Sequence, residues 1–201
     1  MKIQRFEDEE SWKQARLGKV TGTRLKDLIV KRGTNKKLGF YEIIAERLSI
    51  PDDYENPMER GKILEKEAIA RFTKETGIEV DDGLVIWSRE DNESIAISPD
   101  AYTEDLTKAV ECKCLGSAYH IKAIVEKSLP KEYEEQVLQY FITNDKLETL
   151  YFVMYDPRIQ KDYICFEVHR DEVASLVAEY IELERTTLNE IEEIVNELSD
   201  F

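Results

Sequence analysis

Residues 94–115 read SIAISPDAYTEDLTKAVECKCL, and this stretch decides the fold class. Its end, Ala109–Leu115, alternates apolar and charged residues, which is the pattern of a half-buried β-strand. Its beginning, Ser94–Ser98, is a second strand candidate that ends at Pro99. The polar residues of Thr103–Lys108 predict a turn between them. We therefore expect two neighbouring strands of one sheet, folded together by that turn.

Helical and strand patterns extend outward from this stretch on both sides. Upstream, four helices are predicted: Glu7–Leu17, a second from Thr21 or Thr23 to about Val30, Phe40–Leu48 and Pro57–Thr76. Gly77 is the predicted C-cap of the last one. A strand at Leu84–Ser88 follows. Downstream, they are helices at Ala118–Lys127 and Lys131–Thr143, strands at Thr149–Tyr155 and Asp162–Val168, and a closing helix at Asp171–Leu198. This order predicts an α/β fold with a mixed central β-sheet flanked by helices and a long C-terminal helix.

Length and composition favour one soluble globular domain. The 201 residues are 42% hydrophobic and 35% charged, and no apolar run reaches the roughly 18 residues that a membrane span needs. The first residues contain no apolar signal segment, and three cysteines make a disulfide framework improbable. We therefore expect a cytoplasmic protein with no membrane partner.

Charge is distributed unevenly along the chain. The net charge is −15, yet residues 1–50 contain 12 Lys and Arg against 7 Asp and Glu. Lys13–Lys37 holds nine basic residues and one acid, whereas Asp171–Phe201 holds ten acids and one base. These runs are either solvated faces or a local phosphate-binding surface on a protein that repels nucleic acid elsewhere.

Three charged residues in the opening stretch point to chemistry. Side chains alternate across a strand, so Glu111 and Lys113 lie on one face while Val110 and Cys112 lie on the other. Asp100 ends the preceding strand, and the turn brings it beside Glu111. Two carboxylates and an ammonium group suit phosphodiester hydrolysis, because carboxylates bind Mg²⁺ or Mn²⁺ and a lysine orients water or stabilises negative charge. The alternative is a hairpin with an ordinary surface salt bridge.

Three further residues each have two interpretations. Glu65 borders the apolar stripe of a predicted helix, so it is either a further metal ligand or an edge residue of the buried face. Gln136 either has a role in the site, where it would hold the lysine or a water, or it caps a backbone group. Arg16 precedes the predicted helix cap Thr21–Thr23 and is either a phosphate ligand or a surface arginine.

Seven short motifs occur in one order along the chain. They are Trp12-x3-Arg16-Leu17-Gly18, Val20-Thr21-Gly22-Thr23, Gly61-x3-Glu65, Ser98-Pro99-Asp100, Glu111-Cys112-Lys113-Cys114, Tyr133-x2-Gln136 and Tyr155-Asp156-Pro157-Arg158. In this order they resemble the phage lambda exonuclease family, also called YqaJ-like viral recombinases, within the PD-(D/E)xK nucleases. The resemblance covers about residues 10–170 and implies a restriction-endonuclease-like core.

The resemblance implies a Mg²⁺-dependent deoxyribonuclease, with Mn²⁺ as a substitute metal. Such an enzyme degrades the 5′-ended strand of double-stranded DNA ends and leaves 3′ overhangs for recombination. Asp100, Glu111 and the main-chain carbonyl of Cys112 would be metal ligands, and Glu65 would serve a second metal.

The resemblance also implies roles outside the metal site. Lys113 would be the catalytic lysine, and Gln136 would support the nucleophilic water. Arg16, Thr23 and Ser98 would line the pocket for the DNA phosphate, with Thr23 standing where the family usually has serine.

The same resemblance implies an organisation and partners. We expect a single nuclease domain over residues 1–201, in which 1–50 is a basic helical N-terminal part, 57–170 the catalytic core and 171–198 the C-terminal helix. The best-known member of the family is a trimeric ring around DNA, so a homo-oligomer is expected by analogy. A single-strand annealing protein of the phage would receive the overhang.

Three alternatives remain at this stage. A structure- or sequence-dependent endonuclease of the same superfamily shares the Asp100, Glu111 and Lys113 core. A non-catalytic acidic protein that mimics DNA would explain the net charge of −15. A nuclease-fold module without activity is the third, and the complete set of three charged residues argues against it.

Overall fold

A computed structural model describes Asp8, Ser11, Gln14, residues 36–48 and residues 57–199. Apart from those three residues, the helices predicted before residue 31 lie outside the described residues, as do Arg16 and Thr23. Within the described part, the helices are α1 (Leu38–Leu48), α2 (Pro57–Thr76), α3 (Ser117–Glu126), α4 (Glu134–Thr143, after a 3₁₀ turn at Lys131–Tyr133) and α5 (Arg170–Ser199). The strands there are β1 (Trp87–Ser88), β2 (Ala96–Ile97), β3 (Ala101–Tyr102), β4 (Lys108–Lys113), β5 (Thr149–Tyr155) and β6 (Tyr163–His169).

The four-stranded sheet has the order β3-β4-β5-β6. Its central pair, β4 and β5, is parallel, whereas the two outer pairings are antiparallel. A parallel pair needs a crossover connection, which α3 and α4 supply here. The expected mixed sheet with flanking helices and a long C-terminal helix is therefore confirmed.

Both faces of this sheet are covered by helices. On one face the buried apolar residues of the strands pack with those of α4 and α5, namely Ala109, Leu150, Phe152, Met154, Val137, Tyr140, Phe141 and Val177. On the other face they pack with α2, namely Val110, Cys112, Tyr151, Val153, Tyr155, Leu64, Ala68, Ile69 and Phe72. The predicted alternation in β4 is confirmed, because Val110 and Cys112 enter the core against α2.

Helix α2 is the element that carries Glu65, and its ends follow from the sequence. It starts at Pro57, a residue suited to the first turn because that turn leaves its N–H groups unbonded. It stops at Gly77, which has φ of 70° and donates its N–H to the Thr73 carbonyl at 2.8 Å. The glycine C-cap that was predicted there is confirmed, since left-handed backbone favours glycine.

The strands around Pro99 differ from the prediction. Only Trp87 and Ser88 of Leu84–Ser88 pair, with Ile97 and Ala96, and they form a separate two-stranded sheet. Leu84 is fully exposed, so this apolar run has no face on which to bury itself. Asp100 does not end this hairpin but immediately precedes β3, a strand that was not predicted and that is only two residues long.

The closing helix α5 agrees with the predicted span to within one residue at each end. Its apolar stripe packs against α4 and the sheet, through Val173, Val177, Tyr180, Ile181 and Leu188. None of the helices in the described part of the chain has the length and apolar composition required to cross a bilayer.

Arg170, the first residue of α5, joins that helix to the rest of the fold. Its guanidinium donates to the carbonyls of Leu147 at 2.6 Å, Asn144 at 2.5 Å and Phe141 at 3.2 Å. These carbonyls lie at the end of α4 and in the loop before β5, where no helical N–H remains to bond them. One side chain therefore connects two helices and the start of a central strand.

We predict that Arg170→Ala lowers the free energy of unfolding by about 2–4 kcal/mol, because buried carbonyls lose charged donors. Urea denaturation measures the change. Arg185→Ala on the same helix is the control, since its ion pairs with Asp91 and Glu182 are exposed and are worth at most about 1 kcal/mol. Equal losses in the two variants would contradict the prediction.

Candidate active site

Asp100 and Glu111 meet because of the register between β3 and β4. Ala101 pairs with Val110 in this antiparallel ladder, so the residue before β3 lies across from the residue after Val110. The Cys112 main-chain N–H donates to Asp100 Oδ2 at 2.7 Å and holds the carboxylate against β4. The predicted meeting of the two carboxylates is therefore present.

Lys113 occupies the same face of β4 as Glu111, two residues further on. Its Nζ lies 2.6 Å from Glu111 Oε1 and 5.1 Å from the centre of the Tyr133 ring. Burial by itself lowers the pKa of Lys113, but the adjacent Glu111, through its charge and hydrogen bond, raises it, with help from Asp100. The lysine is therefore a cation at neutral pH and can donate hydrogen bonds.

Glu111 is not part of an ordinary surface salt bridge, because only 3% of it is exposed. Its second oxygen, Oε2, accepts a hydrogen bond from the hydroxyl of Tyr140 at 2.5 Å. Tyr140 lies on α4 and is fully buried. A buried carboxylate must have such partners, and this one has an ammonium on one oxygen and a phenol on the other.

Tyr140 is not among the site residues predicted from the sequence. A signal was present, because Tyr140 follows Gln136 by four residues and so shares its helical face. A buried tyrosine hydroxyl also needs a hydrogen-bond partner. The sequence does not show that α4 packs over β4, and it is this packing that brings the Tyr140 hydroxyl to Glu111.

Glu65 is half-buried on α2 and acts on Asp100 electrostatically. Burial and the charge of Glu111 raise the pKa of Asp100 to about 7; Glu65 adds a smaller increase, while the Cys112 amide and Lys113 oppose it. Glu65 thus shares the environment of the two strand carboxylates, although it arrives from the opposite helix layer.

Gln136 and Ser98, which were also predicted to belong to the site, form no hydrogen bond to this group in the described part of the chain. Gln136 is half-buried on α4 and, among the described residues, makes no hydrogen bond to Lys113 or to either strand carboxylate. Ser98 donates its hydroxyl to the Val85 carbonyl at 2.5 Å. The water-supporting and phosphate-binding roles of these two residues stay predictions.

Cys112 was predicted to offer its main-chain carbonyl to a metal, and that role also stays a prediction. Its side chain is a buried hydrophobic group, and burial raises the pKa of the thiol. The three cysteines, Cys112, Cys114 and Cys165, are all free.

The donor chemistry of the site fits a hard divalent cation. Three carboxylates influence one another here while one ammonium offsets them, so a cation would relieve their repulsion. In the described part of the chain, no three His, Cys, Asp or Glu side chains form a ready-made metal cage.

Comparisons with known proteins were made over the whole chain. Residues 11–146 match the YqaJ-like viral recombinase domain. The crystal structure of an alkaline exonuclease, LHK-Exo, from Laribacter hongkongensis superposes with a TM-score of 0.64 and 31% identity, covering 94% of this chain and 96% of that one. The LHK-Exo complex with dAMP gives a TM-score of 0.58 and 30% identity, covering 95% and 98%. A search of curated proteins found no match.

We predict that Tyr140→Phe lowers the free energy of unfolding by about 1–3 kcal/mol, because a buried carboxylate oxygen loses its donor. Urea denaturation measures it. The control is Tyr155→Phe, which removes a weaker bond of 3.2 Å to the exposed Glu67. A loss in Tyr140→Phe no larger than that in Tyr155→Phe would show that the Tyr140–Glu111 contact is unimportant.

Proposed function

Because the chain belongs to the YqaJ-like viral recombinase family, we propose that it is a Mg²⁺-dependent exonuclease acting on double-stranded DNA ends. It hydrolyses the 5′-ended strand and leaves a 3′ overhang for phage-type homologous recombination. The observation that carries this proposal is the meeting of Asp100, Glu111 and Lys113 where β3 pairs with β4. The similarity to an alkaline exonuclease over nearly the whole chain supports the same reaction class.

Asp100, Glu111 and the main-chain carbonyl of Cys112 would hold the metal, and Glu65 would contribute to a second one. A bound Mg²⁺ supplies Lewis-acid activation of water and neutralises charge on the phosphate. The protein positions the carboxylates for this purpose, through the Cys112 amide on Asp100 and the Tyr140 hydroxyl on Glu111.

Lys113 is the side chain of the protein that acts directly on the reacting groups. As a cation held by Glu111 and the Tyr133 ring, it donates to the attacking water or to a phosphate oxygen. Negative charge grows on the phosphate in the transition state, so a fixed ammonium stabilises that state more than the substrate. Gln136, one turn before Tyr140 on α4, helps to orient the water.

Recognition of the DNA end belongs to other parts of the chain. Arg16, Thr23 and Ser98 bind the terminal phosphate, and the basic stretch Lys13–Lys37 attracts the DNA backbone. The acidic remainder of the single domain 1–201 repels DNA that lies outside the site. We further propose that the protein works as a homo-oligomer in the bacterial cytoplasm and passes its overhang to a single-strand annealing protein.

We predict that Lys113→Ala lowers the rate of DNA hydrolysis at least about 100-fold, as loss of a charge-stabilising donor does elsewhere. The assay uses linear double-stranded DNA with a 5′-phosphate, labelled at either the 5′ or the 3′ end, with Mg²⁺. Early release of 5′-terminal mononucleotides is expected, and a covalently closed circle should stay intact. Lys108→Ala on the same strand is the matched control.

Each other outcome of that assay would contradict a specific part of the proposed function. Cutting of the closed circle would indicate an endonuclease, and early release of the 3′ label would reverse the polarity. No cleavage with either Mg²⁺ or Mn²⁺ would overturn the enzymatic proposal and favour an acidic DNA mimic or an inactive module.

We predict that Mg²⁺ raises the melting temperature of the wild-type protein and does not raise that of Asp100→Asn. In EDTA the variant should melt higher than wild type, because neutralising Asp100 removes repulsion from Glu111 and Glu65. Each kcal/mol corresponds to about 2–4 °C in a domain of this size. Asp105→Asn, in the exposed turn before β4, should keep the Mg²⁺ response. An unchanged response in Asp100→Asn would remove Asp100 from the metal site.

A further inference from the structure

Asp156 is a fully buried carboxylate that lies outside the group of charged residues described above. It immediately follows β5, and none of its surface is exposed. Two guanidinium groups neutralise it: Arg60 Nη2 lies 3.2 Å from Oδ1, and Arg158 Nε lies 2.8 Å from the same oxygen. The Ser117 hydroxyl donates to Oδ2 at 2.5 Å. An ionic cluster of this kind is costly to bury, and its presence is weak evidence for a gain in stability.

Arg60 also donates hydrogen bonds to the chain that leaves the candidate active site. Its Nη1 donates to the Cys114 carbonyl at 2.7 Å and to the Leu115 carbonyl at 3.4 Å. Both carbonyls follow Lys113 directly, at the point where β4 ends. Because β4 and β5 are parallel, they end at the same edge of the sheet, where Asp156 lies beside this exit.

Arg60 lies on α2, so its bonds to the end of β4 also affect the position of that helix. Glu65 lies five residues later on the same helix, so a guanidinium fixed to the end of β4 also fixes the helix that carries Glu65. Arg60 is therefore bonded to the strand that bears Glu111 and Lys113 while belonging to the helix that bears Glu65. Asp156 and Arg60 are 96 residues apart in sequence, which means that the bond is a property of the tertiary structure alone.

We propose that Arg60, oriented by Asp156, is a positioning residue. By bonding the main-chain carbonyls at the end of β4, it keeps the Lys113 ammonium in position beside Glu111. The activity part of this inference rests on the proposed nuclease function. Misplacement of a catalytic group by about 1 Å can reduce a rate roughly 100-fold without removing any reacting group. The expected loss is therefore in kcat rather than in binding of DNA.

Arg60→Lys is the first test, because lysine keeps the charge near Asp156 but cannot bond Asp156 and two carbonyls together. Asp156→Asn is the second, and it removes the negative charge that Asp156 places beside Arg60. The matched control is Arg71→Lys with Asp162→Asn. That pair also joins α2 to the segment between β5 and β6, at 3.0 Å, but forms no hydrogen bond to the end of β4.

Two measurements are made on every variant. Steady-state kinetics on linear double-stranded DNA with Mg²⁺ should show kcat lowered at least about tenfold in Arg60→Lys, with KM within about twofold of wild type. Amide hydrogen exchange of residues 113–117 should become faster in Arg60→Lys and Asp156→Asn while α5 keeps its wild-type exchange. The Arg71 and Asp162 variants should match wild type in both measurements.

The outcomes separate this inference from the proposed function. If the wild-type protein does not hydrolyse DNA, the proposed function fails, and hydrogen exchange still decides whether Arg60 holds the end of β4. Unchanged kcat in a folded Arg60→Lys variant would overturn the positioning role. So would a fall in kcat without faster exchange in residues 113–117, or equal losses in the Arg71 variant. If Asp156→Asn does not fold, Arg60→Lys alone carries the decision.

Discussion

The burial of Glu111 is the constraint on which the rest of the structure depends. Helices cover both faces of the strand that carries it, so its negative charge is compensated inside the protein. Lys113 and Tyr140 supply that compensation from the same strand and from α4. This requirement ties the sheet to a helix through polar contacts in a region that is otherwise apolar.

The same arrangement explains how a strongly acidic chain can present a site for an anionic substrate. Asp100, Glu111 and Glu65 concentrate negative charge at one point, where a divalent cation would reverse the local sign of the electrostatic potential. Lys113 contributes positive charge that stays at neutral pH, because its carboxylate neighbours raise its pKa. Along α5, by contrast, Asp171, Glu172, Glu179 and Glu182 are exposed to solvent.

The buried polar groups at the sheet form two clusters. Glu111, Lys113 and Asp100 meet where β3 pairs with β4, which is the proposed site of the reaction. Arg60 and Asp156 lie at the carboxyl ends of β4 and β5, where Arg60 donates both to the Cys114 main-chain carbonyl and to the Asp156 carboxylate. Burying charged residues is expensive in desolvation, and the proposed positioning role of Arg60 would offset that cost by holding the site rigid.

Much of this could be predicted from the sequence, for reasons that are local. The alternation in Ala109–Leu115 predicts which side chains of β4 share a face, since that depends only on strand geometry. The glycine after α2 predicts the end of that helix. The turn before β4 predicts that Asp100 approaches Glu111, even though β3 itself was missed.

Other features were decided only by the tertiary structure. Tyr140 reaches Glu111 because α4 packs across β4, and Leu84–Ser88 fails to form a full strand because no surface covers Leu84. The bond between Arg60 and Asp156 joins residues 96 positions apart, and no local pattern encodes it. The sequence by itself determined the fold class, the family and the candidate residues, because periodicity and motif order are written in neighbouring positions. The tertiary structure decided which of those residues meet and what holds them, because such contacts depend on how helices and strands pack in space.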